Sequence, residues 1–436
     1  MGLFCAGLLV CIALGGSILY ALTFGLLLFL LYGKRKGFTW RELGGMAFDG
    51  IKAVRNILIT FVLIGVLTAF WRAAGTIPAI ICYAASLIRP SVFLLMTFLL
   101  NCGVSVLTGT SFGTGATMGV ICAAMGAAMS VDIRLIGGAM LSGVYFGDRC
   151  SPVSTSALLV AELTKTSIFD NIRRMARSAL APFLLSCAVY AALGAYAAPS
   201  GAPLDLRALF GREFTLHWLA LAPAAVILLL SVLRVNVKTA MTASILTAAL
   251  LCISLQHTAL PDLLRTALTG YRARNAEVAA ILNGGGVTSM LKVGGIVCLS
   301  ASYSGIFRKT GLLDGAKHAI ESLAARSTSF AAILCTSVLA GMIACNQSLS
   351  TMLTHQLCDG LEPNDSDLAL ALEDSVIVVA PLVPWSIAGG VPLASVGAPT
   401  EALLFACYLY LLPLWRLGTS FLRTGRLHGS IKKSRS

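Results

Sequence analysis

Residues Thr108–Gly119 read TGTSFGTGATMG, and the fold turns on how this stretch is understood. Apolar residues run up to it over Ser91–Gly109 and resume over 113–130, while Thr108, Thr110, Ser111, Thr114 and Thr117 stand among its glycines. Three readings compete. Gly109, Ser111 and Gly113 spell G-x-S-x-G, the nucleophile elbow of serine hydrolases. Gly109/Gly113 and Gly115/Gly119 carry the spacing of closely packed membrane helices. The third reading is a break in a discontinuous membrane helix, where glycines permit unwinding and hydroxyls supply oxygen ligands.

The surrounding chain decides the class. Of 436 residues, 57% are hydrophobic and 12% charged, with a mean hydropathy of +0.86; soluble domains carry about 25% charged residues. Leu3–Tyr32, Asn56–Trp71 and Ser91–Gly109 approach or exceed the roughly 20 residues that cross a bilayer. The composition predicts an all-α polytopic membrane protein with about 10–12 transmembrane elements, some too short or too interrupted by Gly and Pro to span alone. Leu3–Leu31 has no basic n-region and is too long for a signal peptide, so it is expected to stay as a first transmembrane helix.

The net charge of +13 is uneven. Arg416, Arg423, Arg426, Lys432, Lys433 and Arg435 crowd the last 21 residues without an acid, and Gly33–Arg55 holds six bases against two acids. In so apolar a chain this pattern reads as the positive-inside rule and not as nucleic-acid binding. It places the C-terminus, Lys34–Arg55 and Lys165–Arg177 in the cytoplasm. The acidic stretch Asp359–Asp367 is assigned outside. Gly37–Arg55, Ser167–Arg177 and Gly311–Ala325 read as amphipathic surface helices. The thirteen cysteines contain no C-x-x-C and the five histidines are scattered; no disulfide framework, metal centre or cofactor is expected.

Two places repeat each other. SVLTG at Ser105–Gly109 matches SVLAG at Ser337–Gly341, and in the same register Pro152 of SPVS matches Pro384 of VPWS. Internal repeats with interrupted apolar segments point to a secondary transporter. The expected organisation is a first transmembrane helix (1–33), a first transporter repeat (34–198), linking helices (199–260), a second repeat (261–415) and a basic cytoplasmic tail (416–436).

Four polar clusters interrupt the apolar background: Thr108–Thr117, Ser142–Ser156 with Asp148 and Arg149, Ala344–Thr354 with Asn346 and Gln347, and Glu373–Ala394. Ionisable residues inside such segments mark ion or proton paths. Hydroxyls, amides and unwound carbonyls can replace a sodium ion's hydration shell. A partly desolvated carboxyl group among them titrates nearer neutrality, so proton and metal compete for it. Lys292 reads either as a partner for a substrate carboxylate or as a residue snorkelling to the interface.

GTSFGT (Gly109–Thr114), SGVYFGDRCSP (Ser142–Pro152) and LEDSVIVVAPLVPWS (Leu372–Ser386) resemble the NhaC family of sodium/proton antiporters. So do WRAAGTIP (Trp71–Pro78), Pro90–Leu94 and Asn283–Gly286, and the resemblance runs in order from about Lys34 to Trp415. It implies two inverted repeats with paired broken or re-entrant helices, alternating access, and exchange of Na+ for H+ across a plasma membrane of the bacterial inner-membrane type; a homodimer is compatible with it. Carried over residue by residue, the implied substrate region is Thr110, Ser111, Thr114, Asp148, Ser151, Ser154, Asn346, Gln347, Glu373, Asp374 and Ser386, with Na+ at Asp148, Asp374 and Ser111. Two stretches depart from the family pattern. Thr155 and Leu158 stand where an Asp and an Asn are common, and Asn346 stands where an Asp is common, which shifts the burden to Asp148 and the Glu373/Asp374 pair. Relatives of this family also exchange malate and lactate, so a proton- or sodium-coupled organic-acid exchanger is the alternative, with Arg149 and Lys292 as substrate contacts. An intramembrane serine hydrolase at Ser111 is the remote third, since no base is placed near it.

Overall fold

Apolar runs cut by Gly, Pro and hydroxyl residues fold here as helices that begin and end inside the protein. The computed structural model describes residues 18–84, 89–196, 206–233, 235–310, 322–325 and 327–433, with Gly7, Cys11 and Ile320. The expected surface helix 311–325 lies largely outside the described residues. The helices that frame the site are α1 (Ile18–Arg35), α2 (Trp40–Ala53), α3 (Arg55–Ala73), α4 (Pro90–Thr108), α5 (Ser111–Ala128), α6 (Ile133–Cys150), α7 (Thr155–Leu163), α8 (Ile168–Tyr196), α9 (Val237–Ser254), α10 (Leu291–Thr310), α11 (Ser329–Ala344), α12 (Gln347–Cys358), α13 (Asp365–Asp374), α14 (Ile387–Ser395) and α15 (Cys407–Lys433).

The protein is all-α and polytopic. α3, α4, α5 and α8 are each long and apolar enough to cross a membrane, and Asp365–Leu382 with α14, bent by 57°, forms a fifth candidate span. Shorter apolar helices include α11 and Lys238–Ser254. The breaks themselves keep these pieces below bilayer length. Ser167–Arg177 is not a separate surface helix; it is the start of the 29-residue α8. Arg416 lies inside α15, which runs unbroken through the position where the basic tail was expected to begin.

The helix ends obey local chemistry. Thr39 and Glu42 form a reciprocal capping box on α2, and Asp132, Ser154, Asn346, Asn364 and Ser386 each cap the following helix through a side-chain oxygen. These oxygens satisfy amides that have no partner within the helix. α4 and α6 pack closely because α6 presents glycines to α4. A Cβ on Gly147 would stand 2.2 Å from that of Ser105, and one on Gly143 would stand 2.5 Å from the Phe98 carbonyl oxygen.

Two pairs of breaks share one backbone geometry. α4 ends at Gly109 (φ 61°, ψ 28°) and restarts from Thr110 (φ −144°, ψ 123°). α11 ends at Cys345 (φ 55°, ψ 11°) and restarts from Asn346 (φ −146°, ψ 131°). The second pair is Ser154 (φ −70°, ψ 133°) and Ser386 (φ −75°, ψ 138°). The match of Pro152 with Pro384 therefore marks equivalent backbone. SVLTG and SVLAG do not, because the second break stands at Cys345, four residues or about one helical turn beyond Gly341. In each half the paired breaks are tied together. Ser151 Oγ donates to the Val106 carbonyl at 2.7 Å, and Trp385 Nε1 donates to the Met342 carbonyl at 2.9 Å. Each acceptor lies three residues before its left-handed turn residue.

One expectation about sidedness is corrected. Arg174 Nη1 donates to Asp367 Oδ1 at 2.8 Å, so Lys165–Arg177 and Asp359–Asp367 share a face of the protein. The two side assignments therefore cannot both hold, and the acidic one has the weaker basis because acids carry little weight in the charge rule. Asp367 serves the N-terminal turn of α13 and the pair with Arg174.

Candidate functional site

The ends of α5, α7, α12 and α14 converge on Asp148. The carboxylate sits near the end of α6, is 2% exposed, and faces a cavity of about 120 Å³ lined by Thr110, Ser111, Phe112, Thr155, Ser156, Asn346, Gln347, Ser348, Ile57, Ile387 and Ala388. All four breaks contribute to its wall. Ser154 Oγ donates to Asp148 Oδ1 at 3.0 Å, and Ser156 Oγ donates to Oδ2 at 2.8 Å. Gln347 Nε2 reaches Oδ2 at 3.5 Å and the Ile377 carbonyl at 3.1 Å. Its Oε1 lies 3.2 Å from Ser156 Oγ. Hydrogen bonds from such donors replace part of the hydration that a buried carboxylate loses.

The first break builds its share of the wall from threonines. Thr110 Oγ1 accepts from the Gly113 amide at 3.3 Å, Thr114 Oγ1 donates to the Thr110 carbonyl at 2.9 Å, and the Thr108 and Thr114 hydroxyls are 3.0 Å apart. Beyond them Gly115–Gly119 forms a π-helical turn, a rare distortion that concentrates at functional sites. Gly115 and Gly119 also allow close approach. Cβ atoms there would lie 3.1 Å from Pro392 and 2.7 Å from Met140 Sδ. Among the described residues, no histidine, lysine or cysteine lines the cavity around Ser111.

The implied site residues divide into three groups. Thr110, Ser111, Asp148, Asn346 and Gln347 meet in the cavity, and Ser154 binds Asp148 from behind. Thr114 and Ser151 tie breaks to their neighbours. Glu373, Asp374 and Ser386 stand apart. Ser386 lines a second cavity of about 280 Å³ that also holds Lys292, and Ile387 borders both cavities.

Asp374 faces arginine. Arg149 is fully buried and forms an ion pair with Asp374 through Nη2, which also donates to Ser178 Oγ at 2.8 Å. Its Nε donates to the Glu373 carbonyl at 3.1 Å, and its Nη1 donates to the Met175 carbonyl at 3.3 Å and to Tyr408 Oη at 3.4 Å. Arg416 Nε lies 3.2 Å from Asp374 Oδ2, an ion-pair contact without hydrogen-bond alignment. Arg149 is thus committed to the protein's own groups. Ser156 is the residue that sequence reasoning missed, and Ser348 joins the wall unannounced. The signal for Ser156 was the S-T-S run after Pro152, where a cap serine is followed two positions later by another hydroxyl.

Comparison with known proteins places the chain among antiporters. Over 403 residues the chain is 28% identical to a Na(+)/H(+) antiporter NhaC of Bacillus subtilis, covering 89% of this chain and 88% of the relative. It is 26% identical over 368 residues to a malate-2H(+)/Na(+)-lactate antiporter of the same organism, covering 82% and 79%. An arginine/ornithine antiporter ArcD of Halobacterium salinarum is 28% identical over 388 residues, covering 84% and 79%. Residues 143–420 match the model of the Na+/H+ antiporter family, and the chain belongs to that family.

Proposed function

We propose that this protein is a secondary transporter that exchanges Na+ for H+ by alternating access, with membrane-embedded carboxylates carrying the coupled ions. The observation that carries the reading is Asp148, a buried carboxylate at the meeting point of four helix breaks. The cation's ligands would come from Asp148, Ser156, Thr110, Ser111, Asn346 and the Gln347 carbonyl oxygen. Oxygen ligands of this kind suit a hard monovalent ion. Broken helices at one site are the means by which transporters hold ions at mid-membrane depth without unsatisfied backbone. The matched geometry of the break pairs supports two transporter repeats, 34–198 and 261–415; their opposite membrane orientation is part of the proposal. The C-terminus is assigned to the cytoplasm of a bacterial inner-membrane setting on the charge of α15.

A second reading, exchange of an organic acid, is favoured by one feature. Lys292 and the Ser386 hydroxyl share the cavity on the other side of the α14 start, where a carboxylate could be held next to a cation site.

Proteoliposomes with an imposed pH gradient separate the two. Sodium and lithium should dissipate the gradient, while potassium, malate and lactate should not. If only an organic acid does so, the sodium/proton reading gives way to the second.

A further inference from the structure

Three carboxyl groups lie at the heart of the protein, and they differ in their hydrogen bonds. Asp148 has three side-chain donors. Asp374 has the Arg149 guanidinium and the Ser178 hydroxyl. Glu373 has neither kind of help. It is 0% exposed, and neither carboxyl oxygen has a hydrogen-bond partner among the described residues. Arg149 touches its backbone carbonyl instead and turns the rest of its guanidinium elsewhere.

The charged and titratable groups acting on Glu373 are Arg149, Asp148 and Asp374, with the Cys150 thiol beside them. Other elements packed on α13 add little. α8 brings Arg174, paired with Asp367; α15 brings Arg416, in contact with Asp374; α11 carries no charged residue. Glu162 of α7 and His355 of α12 are not among its electrostatic neighbours. An ionised carboxylate buried without a donor is strongly disfavoured. In this conformation no donor among the described residues supports an ionised Glu373, whereas three side-chain donors face Asp148.

We propose that the two exchanged ions use separate carboxyl groups: Asp148 holds the cation, and Glu373 carries the proton. The inference rests on Na+/H+ exchange as the function. The groups are coupled by charge. With Asp148 negative, ionising Glu373 places like charges close together in a poorly solvated interior. A cation on Asp148 removes that repulsion, so the Glu373 O–H bond breaks, the proton passes to water and the carboxylate remains. Linkage is reciprocal, so reprotonation of Glu373 weakens cation binding by the same factor. Ions competing for one carboxylate would give the same overall exchange by a different route.

The experiment reads proton release on sodium binding. Purified protein in weakly buffered detergent solution is titrated with NaCl while a pH dye reports released protons and radiolabelled sodium reports binding. Wild type should bind sodium and release protons. Glu373→Gln should still bind sodium but release none, and in proteoliposomes it should retain sodium/sodium exchange while losing uptake driven by the pH gradient. Asp148→Asn should lose both. Proton release from Glu373→Gln at the wild-type level overturns the proposal, as does loss of sodium binding in a monodisperse Glu373→Gln sample. Glu373→Met is read in the same way if the glutamine variant does not fold. Independently of any variant, sodium should remove a protonated-carboxyl C=O band from the wild-type infrared spectrum, and an unchanged band overturns the assignment. Wild-type protein that binds no sodium at all rejects the Na+/H+ reading, a distinct result.

Discussion

Arg149 and Asp374 form an ion pair in which both side chains are 0% exposed. The pair joins the end of α6 to the end of α13 and is braced by Ser178 of α8 and Arg416 of α15. Four helices thus meet at one charge cluster, immediately beside the Asp148 cavity yet facing away from it.

Removing one partner of this pair should damage the fold before it alters transport. Asp374→Asn leaves the Arg149 charge without its main counter-ion in a dry interior, which typically costs about 3–5 kcal/mol. The expected result is a large loss of thermal stability in detergent and poor recovery from membranes. Arg149→Met alone should behave similarly. The double variant Arg149→Met/Asp374→Leu should recover most of the loss, since apolar replacement of a buried pair is often neutral. A singly substituted Asp374→Asn protein as stable as wild type, but inactive, would return Asp374 to the transport path.

Ser156 should tune the cation site without being essential to it. Its hydroxyl donates to Asp148 at 2.8 Å, and hydrogen bonds to charged groups contribute about 1.5–3 kcal/mol. Ser156→Ala should raise the sodium concentration for half-maximal exchange roughly tenfold to hundredfold and leave the maximal rate within a small factor. Initial rates in everted vesicles over a range of sodium concentrations provide the test. An unchanged half-saturation value removes Ser156 from the site.

Outside the membrane-spanning part, Asp132 gives a pH signature. It caps α6 by accepting from the Arg134 amide at 2.9 Å and pairs with the Arg134 side chain. The side-chain hydrogen bond from Arg134 is the main reason its carboxyl titrates below the ordinary aspartate range. A group whose folded value is depressed contributes stability above its unfolded value, and that contribution fades as pH falls through the folded value. Asp132→Ala should therefore cost about 1 kcal/mol near neutral pH, with the difference from wild type shrinking in acid. Melting temperatures of the two proteins across pH measure it; a gap that widens in acid contradicts the assignment.

The parts of this site that were legible in the sequence are those with local causes. Glycine and hydroxyl residues inside an apolar run announce a helix break, so Thr110, Ser111 and Asn346 were findable. A proline followed by a cap serine announces another, so Ser154 and Ser386 were too. What the sequence did not show was direction. Asp148 and Arg149 are neighbours, yet one faces the cavity and the other faces Asp374, 225 residues away. Glu373 and Asp374 also divide: Asp374 meets the arginine, while the Glu373 carboxyl has no hydrogen-bond partner among the described residues. Such choices depend on which distant helices arrive on each side, and no local pattern records them. The SVLTG/SVLAG match failed by one turn for a related reason. Small-residue helix ends look alike wherever the backbone finally turns, whereas Pro152 and Pro384 are constrained by the break itself.

The two left-handed turn residues should respond oppositely to substitution. Gly109 has φ 61°, and a Cβ there would stand 2.7 Å from the Val153 backbone carbon and 2.8 Å from the Ser154 nitrogen. Gly109→Ala therefore adds both a disfavoured backbone conformation, about 1–2 kcal/mol, and a clash with the segment that carries the Asp148 ligand Ser154. Cys345 holds the equivalent turn at φ 55° with a side chain in place, so it bears the conformational cost already. Its carbonyl accepts from the Ile387 amide at 2.9 Å, a contact that any residue can make. Cys345→Gly should raise the melting temperature or leave it unchanged and retain exchange, while Gly109→Ala should lower it and abolish exchange. Thermal unfolding in detergent and vesicle transport of both variants check the pair. Equal tolerance at the two positions would mean that the first break can shift away from the α7 cap while the site still works, and the close approach of Gly109 to Val153 would then not be what positions Ser154 on Asp148.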